Sequence, residues 1–288
     1  MPSRRDYLAG IGGGLGSAVG LAGCLGRTDS GVAGPLSFGE EATVGDAVVT
    51  PRWVHPQASI FYVSNVDWGA IERLDDEWVV FVNVSAESDS GTPPEKESFR
   101  LLAGDDDFAP RENVGNAALH AIQPDTATVS DAYPPASGKR GWLAFTVPAE
   151  YEFATELRLQ FEHGGSGVSW SLSTDTTERI AGPHPTFELV SFEGPNRIPI
   201  DEAAELTITV RNTSSTDGVF RVCLNMTGMY SFNEFSFPVE AGAEATATHQ
   251  LDVSDYVSEP NSTFSCTLRT AETERRISIT AAPTSEDS

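Results

Sequence analysis

At 288 residues the chain has room for one or two domains with a full hydrophobic interior, which excludes a disulfide-stapled mini-protein. Apolar residues at 39% and charged residues at 21% describe a globular chain rather than a disordered or collagenous one. With 42 acidic against 18 basic side chains, the net charge of −24 would repel a phosphate backbone, so nucleic acid is not an expected partner.

Residues 1–23 carry Arg4 and Arg5 ahead of Tyr7 and Leu8, then a nearly uncharged stretch of Gly, Ala, Leu and Val that runs to Leu21-Ala22-Gly23-Cys24. This is a targeting segment rather than a membrane span, because the glycines at 10, 12, 13, 14, 16 and 20 make a poor helix. It resembles a twin-arginine export signal, with Arg4 and Arg5 as the paired arginines, fused to a lipobox ending at Cys24. The resemblance implies export of a folded chain, cleavage before Cys24 and lipidation of its sulfur. The protein is then expected on the extracellular face of the cell membrane, held by its lipid. Only Lys96 and Lys139 among the basic residues are lysines, and this acid-rich, lysine-poor surface reads as adaptation to high salt. Together these features resemble the exported lipoproteins of haloarchaea.

Residues 24–35 are small, polar and Gly-rich, as a flexible tether is. Beyond them, strands are predicted at 47–54, 59–63, 78–86, 99–103, 141–147, 156–162 and 167–173, each rich in β-branched and aromatic residues and bounded by turn formers. In 156–162, Leu157, Leu159 and Phe161 alternate with Arg158, Gln160 and Glu162, the pattern of a half-buried antiparallel strand. The 78–86 segment is apolar at nearly every position and is expected to lie centrally. Gly182-Pro183-His184-Pro185 interrupts the pattern and marks a boundary between one β-sandwich, 36–182, and a second, 183–282.

The second strand series is predicted at 186–193, 204–212, 219–226, 234–239, 245–253, 263–270 and 275–280. Leu206, Ile208 and Val210 are expected to face the opposite sheet. No long helix is expected; the best candidate, 112–123, contains Gly115 and reads as a turn or two within a loop. The tail 283–288 is expected to be disordered. The fold class is therefore all-β, two tandem immunoglobulin-like β-sandwiches after a cleaved signal. Pro199-Ile200-Asp201-Glu202, Val210-Arg211-Asn212-Thr213 and Asp217-Gly218-Val219-Phe220 resemble the adhesion-type immunoglobulin-like modules of archaeal surface proteins. The first sandwich, with 79–84 and 141–148, is similar to a sandwich repeated in prokaryotic lipoproteins of unknown role. Neither resemblance brings a catalytic residue.

Of the three cysteines, Cys24 is assigned to lipid, leaving Cys223 and Cys266 as an expected disulfide in an exported chain. Its loop of some forty residues would contribute about 3–4 kcal/mol. The parities disagree: Cys266 shares that of the inward Phe264 and Leu268, whereas Cys223 alternates with Phe220, Val222 and Leu224. A bulge, or one partner on an outer face, is required. Asn-x-Ser/Thr sequons stand at Asn83, Asn212, Asn225 and Asn261, and glycans are expected at the last three.

No metal or other cofactor is expected. Cys223, Met226 and Met229 lack the following His of a copper loop, and the five histidines have no zinc spacing. Asp105-Asp106-Asp107 lacks the alternation of an EF-hand and reads as a solvated turn; Gly164-Gly165-Ser166-Gly167 reads as a hairpin rather than a nucleophile elbow. No catalytic residue is expected, and the chain reads as a non-enzyme. If the chain has a recognition surface, for a cell-surface protein or glycan, it is expected at the long segment 113–138 and at Trp53 and Trp68 near it, although core packing is the commoner fate of a tryptophan. The leading expectation is a non-catalytic surface lipoprotein that binds or spaces; the alternative is a ligand- or partner-binding subunit of a surface enzyme or transport complex.

Overall fold

The computed structural model describes residues 35–284 apart from 66–67, 125–130, 136–138, 150–155 and 228–230. The export arginines Arg4 and Arg5, the lipidation candidate Cys24, nearly all of the tether and residues 285–288 lie outside the described residues. Pro35–Ser288 is one compact unit.

The first part of the chain forms β1 (Leu36–Ser37), β2 (Ala42–Val44), β3 (Ala47–Gln57), β4 (Ser59–Asn65), β5 (Trp68–Arg73), β6 (Glu77–Ser88), β7 (Phe99–Ala103), β8 (Asp106–Phe108), β9 (Asn113–Val114), β10 (Ala117–Ala118), β11 (Ile122–Gln123), β12 (Arg140–Pro148), β13 (Leu157–His163) and β14 (Ser166–Ser171). A short helix α1 (Thr174–Ala181) follows. Then come β15 (Phe187–Glu193), β16 (Arg197–Pro199), β17 (Ala203–Asn212), β18 (Gly218–Met226), β19 (Ser231–Val239), β20 (Glu244–Asp252), β21 (Thr263–Arg269) and β22 (Glu274–Ala282). The protein is all-β, and every strand expected from the sequence is present within a few residues.

A four-stranded sheet, β12-β6-β3-β2, packs against a five-stranded sheet, β1-β14-β13-β7-β8. Val80, Val82, Val84, Phe145 and Val147 meet Phe99, Leu101, Leu157, Leu159, Phe161 and Trp170 in their shared core. The opposite face of the four-stranded sheet is buried as well. There Val79, Phe81, Trp142 and Ala144 pack with Ile60, Leu74, Val114, Ala117 and Ile122, residues of the small sheet β11-β4-β5 and its neighbouring segments. Burial on both faces is why β6 and β12 are apolar at nearly every position rather than alternating.

In the second part, β15-β17-β20 packs against β16-β22-β21-β18-β19. Leu206, Ile208 and Val210 lie in this core with Val222, Leu224, Phe264 and Leu268. Again one sheet is covered on its outer side: Cys223 of β18 meets Phe61 and Ile71 of the β4–β5 hairpin, with Val63, Phe232 and Ala271 around them. Ile60 and Phe61 are neighbours in sequence and point to opposite faces of β4, one into each adjoining cluster. The β4–β5 hairpin is therefore a middle layer between the two sandwiches.

The helix was not expected. Ser173 caps it, its hydroxyl accepting from the Thr176 N–H at 3.2 Å, and Gly182 ends it by donating to the Arg179 carbonyl at 3.3 Å. Its single buried side chain, Ile180, joins the first core. Among the described residues no helix is long and apolar enough to cross a membrane.

Candidate functional site

A buried, hydrogen-bonded polar site lies at the seam where the β4–β5 hairpin meets β18. Gly69 pairs with Val63 on one side. On the other, the Gly69 N–H donates to Asn225 Oδ1 at 2.8 Å and Asn225 Nδ2 donates to the Gly69 carbonyl at 3.0 Å. A side-chain amide thus takes the place of a neighbouring strand at the hairpin edge. The approach leaves no room for a side chain: a Cβ on Gly69 would lie 2.5 Å from Cys223 Sγ and 2.6 Å from the Phe61 ring. Around this pair the Phe61 and Phe232 rings pack at 5.7 Å, Arg221 donates to Ser59 Oγ at 3.2 Å, and Arg73 pairs with Glu272 at 3.2 Å.

This seam corrects two expectations. Cys223 and Cys266 are not bonded to each other. Their strands are adjacent, but Cys223 stands opposite Arg269 and Cys266 opposite Met226, an odd offset that places the thiols on opposite faces of the sheet. Cys266 lies in the second core and Cys223 in the seam. Burial pushes both thiols up to about 12, with the Glu234 carboxylate adding to the effect at Cys223.

Two of the three expected glycan sites are closed. Asn225 is fully buried under Gly69. Asn212 is also fully buried, and its amide organises the β17–β18 turn: Nδ2 donates to the carbonyls of Thr216 (2.8 Å) and Val239 (3.1 Å), while Oδ1 accepts from the Ser214 N–H and hydroxyl. Asn83 is buried and donates to the Gly141 carbonyl. Asn261 is exposed, in a left-handed conformation (φ 68°), with its Oδ1 accepting from Arg197 at 2.7 Å.

The segment expected to recognise a partner is largely built into the body. Gly115 and Asn116 turn between β9 and β10, and the Glu72 carboxylate accepts from the Asn116 N–H and side-chain amide. β11 pairs with β4. Tyr133 N–H donates to the Trp142 carbonyl and Trp142 N–H to the Asp131 carbonyl, so the segment covers the edge of β12. Residues 125–130 and 136–138, also part of this expectation, lie outside the described residues. Trp53 is half-buried beside the cluster beneath β4; Trp68 is half-buried at the start of β5.

The aspartate run is a hairpin: Ala103 pairs with Asp106, Gly104 takes φ 65°, and Asp107 pairs with Arg100 at 3.4 Å. Gly164 and Gly165, both at positive φ, join β13 to β14 as a two-residue turn. Among the described residues no group of three or more His, Cys, Asp and Glu side chains is placed to hold a metal ion.

His184 is marked by the sequence as part of the boundary and not as a site residue. It lines an open cleft of about 360 Å³ with Arg73, Asp75, Asp76, Ala149 and Pro183. Its ring meets Trp78 edge-on at 4.6 Å, and Trp78 Nε1 donates to the Gly182 carbonyl at 3.4 Å. Burial and the Arg73 guanidinium hold its pKa below the ordinary imidazole value. Burial likewise lowers the His249 pKa from the ordinary imidazole value, its ring stacked on Phe235 at 5.4 Å.

No protein-family model matches the chain, and no curated protein matches it. Over part of its length it is similar to a β-glucosidase from Listeria innocua solved with isofagomine: 16% identity, TM-score 0.30, 35% of this chain and 17% of that one. It is similar to a cycloisomaltooligosaccharide glucanotransferase from Paenibacillus sp. at 12% identity and TM-score 0.31, over 34% and 14% of the two chains. A GH2 β-galacturonidase from Eisenbergiella tayi aligns over 81% of this chain and 43% of its own, at 11% identity and TM-score 0.25. The chain spans less than half the length of each of these proteins.

Proposed function

We propose that the protein is a non-catalytic surface lipoprotein of a salt-loving archaeon, a stiff spacing or binding module held at the outer face of the membrane through Cys24. The seam is the observation that carries this reading. Reciprocal hydrogen bonds between Asn225 and Gly69, with an apolar cluster around them, join two sandwiches into a single body. That construction suits a module whose task is to hold something at a fixed distance from its anchor. The paired sheets of 183–282 support the adhesion-type immunoglobulin-like reading of that part. Asn261, exposed on a turn, supports a glycan there, while the buried Asn212 and Asn225 do not. The partner is a cell-surface protein or glycan.

Fractionation tests the anchor. Wild-type protein is expected in the membrane fraction with the mass of a chain cleaved before Cys24 and lipidated, and Cys24→Ser is expected in the medium or unprocessed. Identical fractionation and mass for the two would remove the lipoprotein reading. Cross-linking on intact cells followed by mass spectrometry tests the module. A surface protein or glycan joined to it is the expected product, and turnover of a substrate by the purified chain would overturn the non-catalytic reading.

A further inference from the structure

His184 lies in the crossing between the two sandwiches, between Pro183 and Pro185, and only 8% of it is exposed. Both ring nitrogens are shut off from water and neither makes a hydrogen bond of ordinary geometry. A neutral imidazole tolerates this position by packing its ring on Trp78; an imidazolium, with two N–H groups to satisfy, does not.

The charges that face the ring are divided. Arg73 on β5 opposes a proton, and so does burial, which is the larger influence. Asp75 and Asp76, in the turn between β5 and β6, favour it, with a lesser pull from the Leu74 backbone. Glu77, which opens β6, lines a neighbouring cleft with Arg73, Asp75 and Asp76. Arg179 of α1 stands over the Trp78 ring, 5.9 Å from its centroid. From the second sandwich, Glu272 holds Arg73 at 3.2 Å, and the Thr216 hydroxyl reaches the Pro183 carbonyl at 3.5 Å. The ring thus sits dry against an indole, in the wall of an open cleft that Asp75 and Asp76 also line.

We propose that His184 is an acid-operated latch on the crossing between the sandwiches: neutral, it stays packed on Trp78 and keeps the crossing closed; protonated, it leaves Trp78 for the cleft beside Asp75 and Asp76 and loosens the crossing. Because the folded imidazole titrates below the unfolded value of 6.5, the native state binds fewer protons than the unfolded one. The contribution of His184 to stability is therefore complete above about pH 6.5 and is drawn down as pH falls toward the folded value.

Hydrogen exchange of the peptides that contain residues 182–187 and 73–78, corrected for intrinsic rates, tests the latch in the full chain. Between about pH 7 and about pH 4.5 the wild-type protein is expected to exchange severalfold faster at these peptides than at the rest of the chain. His184→Phe, which keeps a ring against Trp78 and takes no proton, is expected to stay flat. Equal acid acceleration in the two proteins overturns the latch. Should His184→Phe not fold, NMR titration of the wild-type imidazole decides. A midpoint below 6.5 with a coincident change in the Trp78 indole resonance supports the latch, and a midpoint at or above 6.5, or no coincident change, overturns it.

Discussion

The side-chain amide of Asn225 pairs with both backbone groups of Gly69, 156 positions away in sequence, as a strand would. Removing it leaves a buried N–H and a buried C=O without partners. Asn225→Ala is therefore expected to destabilise by roughly 2–4 kcal/mol in denaturant unfolding. Asn225→Asp, which puts an acceptor where the Gly69 carbonyl needs a donor, is expected to cost more still.

Gly69→Ala tests the closeness of the same contact. The added methyl collides with Cys223 Sγ and the Phe61 ring, and the hairpin must withdraw from β18. A loss of about 1–3 kcal/mol is expected. Combined with Asn225→Ala, the loss should fall short of the sum, since either change alone already opens the seam. Strict additivity in a double-mutant cycle would mean that the two residues do not share one contact.

The cysteines give a chemical readout. With both thiols buried and held protonated to about pH 12, alkylation at Cys223 and Cys266 is expected to be absent from the native protein near neutral pH. After denaturation without reductant, peptide mapping should find both alkylated. A Cys223–Cys266 peptide pair linked by sulfur would refute the arrangement of β18 and β21.

If the chain is exported already folded, only an exposed asparagine is open to a glycosyltransferase. Site-resolved mass spectrometry of protein from native cells is expected to find glycan at Asn261 and none at Asn212 or Asn225. Occupancy at Asn225 would mean that the seam is open when sugar is added.

Strands with one wet face were legible because alternation betrays them, as with Leu157, Leu159 and Phe161 against Arg158, Gln160 and Glu162. β5 was not: Gly69, Ala70 and Ile71 are all buried, since both faces of the hairpin are covered, and a short strand without alternation gives no period to read. The helix carried its cap and stop, Ser173 and Gly182, but its Thr-rich body is a weak helix former with only Ile180 buried. The odd parity of Cys223 and Cys266 was the one warning against a disulfide, and it pointed to the correct geometry. Arg221, Cys223 and Asn225 share the outward parity of β18, which in sequence means water. Only the fold reveals that a second layer lies there, because nothing local to Gly69 or Asn225 records the other.

The β4–β5 layer is expected to make the two sandwiches unfold as one body. Differential scanning calorimetry measures this directly. One transition with a van't Hoff to calorimetric enthalpy ratio of about one is predicted for the wild-type chain, and a split into two for Asn225→Ala. Two separate transitions in the wild type, with the first sandwich melting independently of the second, would mean that the hairpin layer does not couple them.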